Sequence, residues 1–316
     1  IYGGVPRALK NVRQNFIDKR VKAVEALPEF EALRESAKEI KNHTLEHLDL
    51  YLERYEQKVK ESGGHVHFAV DAAEARAIVL DICRKAGART VTKGKSMITE
   101  EIGLNAHLEA NGVVPVETDL GEYIIQLRGE APSHIIAPAV HLTKDQIEAD
   151  FRRVHTNLDP KRDLTEKTSL LTEARTMLRE KFLVADVGIT GANFLIAETG
   201  TSVIVTNEGN GDLTQLLPRV HVVVASIEKV VPTLEDTSQI LRVLARSATG
   251  QEMSVYTTLS TGPRRATDVD GPEEYHVVLL DNGRSAMLGT EFQDMLRCIR
   301  CAACMNHCPV YHQIGG

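Results

Sequence analysis

The chain has 316 residues, 42% of them hydrophobic and 4% aromatic, with 44 acidic against 37 basic side chains and a net charge of −7. That length suits two domains or one large domain with appendages, and the mild negative charge argues against a nucleic-acid-binding surface. No apolar run approaches the length of a membrane span, and no charged stretch leads into an apolar one at the start.

Val5 to Ser62 is rich in Lys, Arg, Glu, Leu and Ala and is interrupted once by Pro28. From Glu29 to Lys60, Phe30, Leu33, Ala37, Ile40, Leu45, Leu48, Leu52 and Tyr55 recur at near-helical spacing. The pattern predicts two helices, the second long, ending at Gly63-Gly64 and packing on a main domain. Residues 1–64 are therefore taken as a helical extension.

From His65 short apolar runs alternate with helical patterns. Strands are predicted at His65–Val70, Arg89–Thr92, Val113–Glu117, Phe194–Ala197, Ser202–Thr206, Val220–Ala225, Met253–Leu259 and His276–Leu280, with a strand start at Ser133–Pro138. Helices are predicted at Ala72–Ala86, Thr99–Asn111, Thr143–His155, Ser169–Ala185 and Leu234–Ser247. Such alternation predicts an α/β domain over residues 65–286 with a largely parallel sheet. The crowded late strands predict some mixed character. Within the first helix Ala75, Ile78, Val79, Ile82 and Ala86 form an apolar stripe, and Cys83 at its edge reads as a core residue rather than a ligand.

Two segments have the composition of binding loops. Lys93-Gly94-Lys95-Ser96 follows a strand and opens a helix, but a Walker loop would need glycine where Arg89 stands. A plain turn remains, or a weaker anion site built from amides and Lys95. Gly188 to Asp212 is dense in Gly, Asn, Thr and Glu, and polar loops at strand ends are where α/β sheets place ligands. The candidate pocket is Lys95, Glu198, Thr199, Gly200, Thr201, Asn207, Glu208 and Asn210. The alternative is two tight turns whose side chains bond their own backbone. The charged turns at residues 262–276 and 281–285 read as bracing, and His134 and His141 as ordinary surface or core residues.

The strongest signal comes last. Cys298, Cys301, Cys304 and Cys308 are spaced by two, two and three residues and followed by Pro309, the ligand run of a bacterial-type 4Fe–4S site. Three thiolates on one tight loop reach three corners of a cubane, while the fourth cysteine of such a run usually serves another cluster. Structural zinc, the alternative, takes ligand pairs separated by a longer spacer, and a disulfide framework does not suit a few cysteines crowded at one end. His307 reads as a solvated neighbour. Clustered reduced cysteines without a secretory signal predict a cytoplasmic protein. The sequence lacks a starting methionine and stops at Gly315-Gly316, so it reads as a piece of a longer chain, short at its C-terminus.

Several strings together resemble the lactate-utilisation iron–sulfur protein B family, which carries the LUD domain. They are Gly188–Phe194, Ala197–Thr201, Asn207–Asn210, Ile227–Val230, Asp270–Glu274, Leu280–Arg284 and Cys298 through Tyr311. The resemblance implies a LUD domain similar to the sugar-phosphate isomerase and CoA-transferase-like fold, then the start of an α-helical ferredoxin-like domain from residue 287. It implies two 4Fe–4S clusters in the full-length protein: Cys298, Cys301 and Cys304 bind the first, and Cys308 binds the second, whose other ligands are absent from this sequence. It also implies two partners in oxidising L-lactate to pyruvate, a cysteine-rich iron–sulfur subunit and a smaller LUD-domain subunit. The expected function is therefore an electron-transfer subunit of an oxidoreductase. The alternatives are a LUD pocket for a small carboxylate or acyl group with a structural or sensory cluster, and a scaffold for partners. No catalytic residue is assigned.

Overall fold

The computed structural model describes residues 16–94 and 96–314. Among these residues ten strands form in chain order: β1 (His65–Ala69), β2 (Thr90–Gly94), β3 (Val114–Glu117), β4 (Val187–Thr190), β5 (Phe194–Ile196), β6 (Thr201–Thr206), β7 (Val220–Ser226), β8 (Val230–Val231), β9 (Tyr256–Ser260) and β10 (Glu274–Leu280). Six make a wholly parallel sheet in the order β1-β10-β7-β4-β2-β3, and the other four a mixed sheet in the order β8-β5-β6-β9. The architecture is the mixed α/β fold, with a mostly parallel sheet and a helical N-terminus, that the alternation of patterns predicts.

The strand period explains the layering. Along β7, Val220, Val222 and Val224 face one side with Val278 and Leu280 of β10, where they meet Ala75, Val79, Ile82 and Cys83 of helix Ala72–Lys85. Val223 and Ala225 alternate to the other side with Val277 and Leu279 and meet Leu48, Tyr55 and Val59 of the N-terminal helices. The N-terminal helices thus complete the core. Gly200, in the β5–β6 turn at φ 69°, lies so close to helix Leu48–Glu61 that a Cβ there would sit 2.5 Å from the amide nitrogen of Val59.

Several elements depart from expectation. The long helix expected over residues 29–60 is two helices, Phe30–Glu46 and Leu48–Glu61, because His47 (φ −125°, ψ 35°) leaves the helical region. The helix expected over Thr99–Asn111 is Met97–Glu101 and Leu104–Ala110, split by Gly103 in the left-handed region at φ 62°. Residues 133–138 form no strand. His134 Nδ1 accepts the amides of Ile136 and Ala137, and the Ser133 amide donates to Pro138, so the segment closes on itself as a turn. Helix Leu120–Arg128, capped by the Asp119 carboxylate, was not anticipated.

The chain runs from β2 outward to β3, then returns to place β4 on the other side of β2. The sheet therefore has a topological switch point between β2 and β4, and α/β sheets bind ligands outside the carboxyl ends of strands at such a point.

Candidate functional site

The segments that leave those carboxyl ends line a cleft of about 220 Å³. Ser96 follows β2, Asp119 follows β3, Gly191 to Asn193 follow β4, and Val224 to Ser226 end β7. Asn207 and Glu208, at the end of β6, form part of a second wall with Leu244, Ala245 and Ala248 of helix Leu234–Thr249. Arg300 and Cys301 of the cysteine loop complete the lining.

The loop itself is shaped by local backbone. Arg300 and Ala302 are both left-handed without being glycine, at φ 57° and 61°, a conformation that costs an L-residue of order 1 kcal/mol and that clusters at functional sites. These two reversals separate Cys298, Cys301 and Cys304, and the Arg300 amide donates to Cys298 Sγ at 3.4 Å. Cys298 and Cys304 are exposed and Cys301 and Cys308 half-buried. Burial raises the Cys301 thiol pKa, and the nearby Cys298 and Cys304 sulfurs push it the same way. Among the described residues no three Cys, His, Asp or Glu side chains converge as a metal site. The donor set nonetheless fits an iron–sulfur cluster: reachable thiols, a loop reversed twice between them, and an amide already directed at a sulfur. His307 is exposed and its Nδ1 pairs with the carbonyl of Ala303 at 2.8 Å, as a solvated neighbour would.

Beneath the loop lies a partly buried ionic network that sequence reading missed. Arg284 makes ion pairs with Glu101 at 2.9 Å and Glu228 at 3.0 Å, and Arg300 reaches Glu101 at 3.3 Å. Ser226 donates to Glu228 at 2.6 Å. Lys41 donates to the carbonyl of Glu228, and Lys229 donates to the carbonyl of Cys298 at 3.2 Å. Burial pulls the Lys41 ammonium down to about 7, with Lys229 adding repulsion, and burial likewise lowers Lys229. The far side of the cysteine segment is fastened by His134 Nε2 to Asn306 Oδ1 at 2.8 Å and by the Tyr311 hydroxyl donating to Ser133 at 3.0 Å. The one available signal was the string Ile227-Glu228-Lys229-Val230, which carries charge between two apolar runs.

The structure divides the pocket expected from sequence. Asn207 and Glu208 line the cleft. Glu198, Thr199, Gly200 and Thr201 lie at the opposite end of β6, roughly 16 Å away by strand rise, where Thr199 and Thr201 share a hydroxyl pair at 2.7 Å. Asn210 opens helix Asn210–Leu216 and lines a separate apolar groove beside Leu213 and Phe182. Lys95 lies outside the described residues. Cys83 is fully buried in the core, and burial pushes its thiol up to about 12. Alkylation of the native, cluster-free protein is therefore expected to label the four C-terminal cysteines and spare Cys83, as peptide mass mapping would show; rapid labelling of Cys83 would contradict its placement.

A family model of the LUD domain matches residues 52–280. The chain is 49% identical over 311 residues to the lactate utilization protein B of Geobacillus sp. strain WCH70, covering 98% of this chain and 64% of that protein. It is 47% identical over 311 residues to the lactate utilization protein B of Bacillus subtilis, again covering 98% of this chain and 64% of the relative. This chain thus spans just under two thirds of the length of these relatives. Among solved structures it is similar to a DUF162 family protein from Deinococcus radiodurans at TM-score 0.41 and 16% identity, covering 74% of this chain and 98% of that one.

Proposed function

The chain belongs to the LUD domain family, and from that premise we propose that it is an iron–sulfur electron-transfer subunit of a complex that oxidises L-lactate to pyruvate. Its partners in this reading are a cysteine-rich iron–sulfur subunit and a smaller LUD-domain subunit, all in the cytoplasm. The names of the relatives support a role in lactate utilisation, and no helix among the described residues is long and apolar enough to cross a membrane. The observation that carries the electron-transfer reading is the position of the cysteine loop, which presents Arg300 and Cys301 to the cleft at the sheet's switch point.

Cys298, Cys301 and Cys304 would hold a first 4Fe–4S cluster and Cys308 would serve a second. Such a cluster, when bound, takes up and passes on electrons singly at a potential set by ligation, hydrogen bonding and burial. The chain's own residues would set those conditions. The Arg300 amide directs a hydrogen bond to a ligand sulfur. Lys229 pins the Cys298 carbonyl, and Glu101 holds the Arg300 side chain. Ile299 and Cys301 pack against the apolar cluster that contains Phe194 and Leu244, which fixes the loop to the domain.

Full-length protein purified without oxygen is expected to contain two clusters by iron and acid-labile sulfide analysis. Cys301→Ser should remove about half of the iron and abolish electron transfer from lactate in the reconstituted complex. Unchanged iron content, or full activity in a folded Cys301→Ser protein, would sink this reading and favour a LUD pocket acting without cluster redox chemistry.

A further inference from the structure

Helix Asn210–Leu216 is inside out. It buries Gly211, Thr214 and Gln215 and leaves Leu213, Leu216 and the following Leu217 between 42% and 47% exposed. Its polar side chains are committed inward. Thr214 shares a hydroxyl pair with Thr118 at 3.2 Å, and Gln215 accepts from Ser260 at 2.6 Å. A surface helix ordinarily buries its leucines and solvates its polar face, so the inversion leaves apolar surface in need of a cover. Nor is that surface isolated. Leu213 and Leu217 share a groove of about 780 Å³ with Leu120 and with Leu171, Phe182 and Leu183 of helix Lys167–Val184. Leu171 is 44% and Leu183 63% exposed. A contiguous exposed apolar face of this kind marks an interaction site.

The rim narrows the partner. Arg175 and Arg179 stand one turn apart on helix Lys167–Val184, are exposed at the groove, and pair with no carboxylate among the described residues. Glu208, the acidic side chain of the described lining, has a partner of its own. The groove thus sets unpaired positive charge beside an apolar floor, which complements an apolar ridge flanked by carboxylates. Shape argues for a helix. Leu171 and Leu183 lie twelve residues apart, about 18 Å along the helix, the span of a three-turn segment whose anchors recur at i, i+4 and i+7. A flat bilayer would not fill a groove. Two copies of this chain meeting symmetrically on this face would set Arg175 and Arg179 against their own counterparts.

We propose that this groove docks an amphipathic helix of another protein. Its leucine-type stripe seats between Leu171, Leu183, Leu213 and Leu217, and acidic residues at the border of that stripe meet Arg175 and Arg179. The surface holds none of the C-terminal cysteines and, among the described residues, shares only Glu208 with the cleft. It therefore goes beyond the lactate-oxidation reading and does not rest on it.

The test uses full-length protein purified without oxygen and two fluorescent helical peptides of about 14 residues, roughly four turns. Both carry the same leucine stripe, bordered by glutamates in one and by lysines in the other. Anisotropy should show the glutamate peptide binding about tenfold more tightly than the lysine peptide, or better. Arg175→Glu combined with Arg179→Glu should invert that preference. Leu213→Asp combined with Leu217→Asp should abolish binding of the glutamate peptide without lowering the denaturant midpoint, because both leucines are exposed. Should the leucine variant fail to fold, the arginine reversal decides. Wild-type protein that binds neither peptide, or both equally, overturns the proposal, as does a preference that survives the arginine reversal. Co-sedimentation with phosphatidylglycerol vesicles that the leucine variant loses would overturn it by assigning the face to a membrane surface. A dimer in sedimentation velocity that the leucine variant breaks would overturn it by assigning the face to a second copy.

Discussion

Gly188→Ala is expected to lower folding stability by about 3 kcal/mol, the upper range for forcing a methyl group into a packed core. Gly188 is buried in β4, opposite Thr92 of β2 and His221 of β7. A Cβ there would lie 1.8 Å from the carbonyl oxygen and 3.0 Å from the carbonyl carbon of Thr214. Both obstacles are backbone of helix Asn210–Leu216, so no side chain can rotate away. Either the helix or the strand must move, and β4 leads directly into Gly191 to Asn193 at the cleft. Gly209→Ala supplies the control, since a Cβ at that glycine meets nothing within 4 Å; it should stay within roughly 0.5 kcal/mol of wild type. The denaturant midpoint measures both, and an unshifted midpoint for Gly188→Ala would contradict the close approach.

That glycine also shows what a sequence can and cannot disclose here. Residues 188–212 read as a polar loop region joined by two strands, because their Gly, Asn and Thr content resembles turns. The structure makes a core strand of Val187–Thr190 and a helix of Asn210–Leu216. Glycine serves there to let a helix approach a strand, a tertiary reason that no local pattern carries. Alternation and helical periodicity, by contrast, are local, and they located β1, β3, β6, β7 and β10 to within a residue or two. The cysteine spacing is local as well, so a ligand run can be proposed from it directly. The network under it could not: Lys41, Glu101, Glu228, Arg284 and Arg300 come from distant segments that meet only on folding. The expected pocket was divided for the same reason, since β6 separates residues that are near in sequence by its full length.

Lys93→Met is expected to cost about 3–5 kcal/mol, the range for leaving a buried charge without its partner. Lys93 pairs in register with Glu117 across β2 and β3, the two strands beside the switch point. Its ammonium, 2% exposed, contacts Glu117 at 2.7 Å and Glu100 at 2.5 Å and donates to Thr99 at 3.0 Å. The Glu117 side chain is 4% exposed and, among the described residues, keeps only Asn105, at 2.7 Å, as a further side-chain donor. Glu100 can turn to solvent when the lysine is lost, whereas Glu117 cannot. Lys93→Met combined with Glu117→Leu should therefore recover more than half of the loss, because an apolar pair of similar volume often replaces a buried ion pair at little cost. Burial works to depress the Lys93 pKa, but Glu117 and Glu100 together outweigh it and hold the value above that of an ordinary lysine. The sign follows: the stabilisation is complete below the unfolded lysine value near 10.4 and is lost only as pH rises through the still higher folded value. The stability gap between wild type and Lys93→Met should persist from about pH 6 to pH 9 and narrow only in stronger alkali. Denaturation of both proteins across that range is the measurement. A gap that closed near neutral pH, or a Lys93→Met protein as stable as wild type, would show that the strands beside the cleft are held by something other than this ion pair.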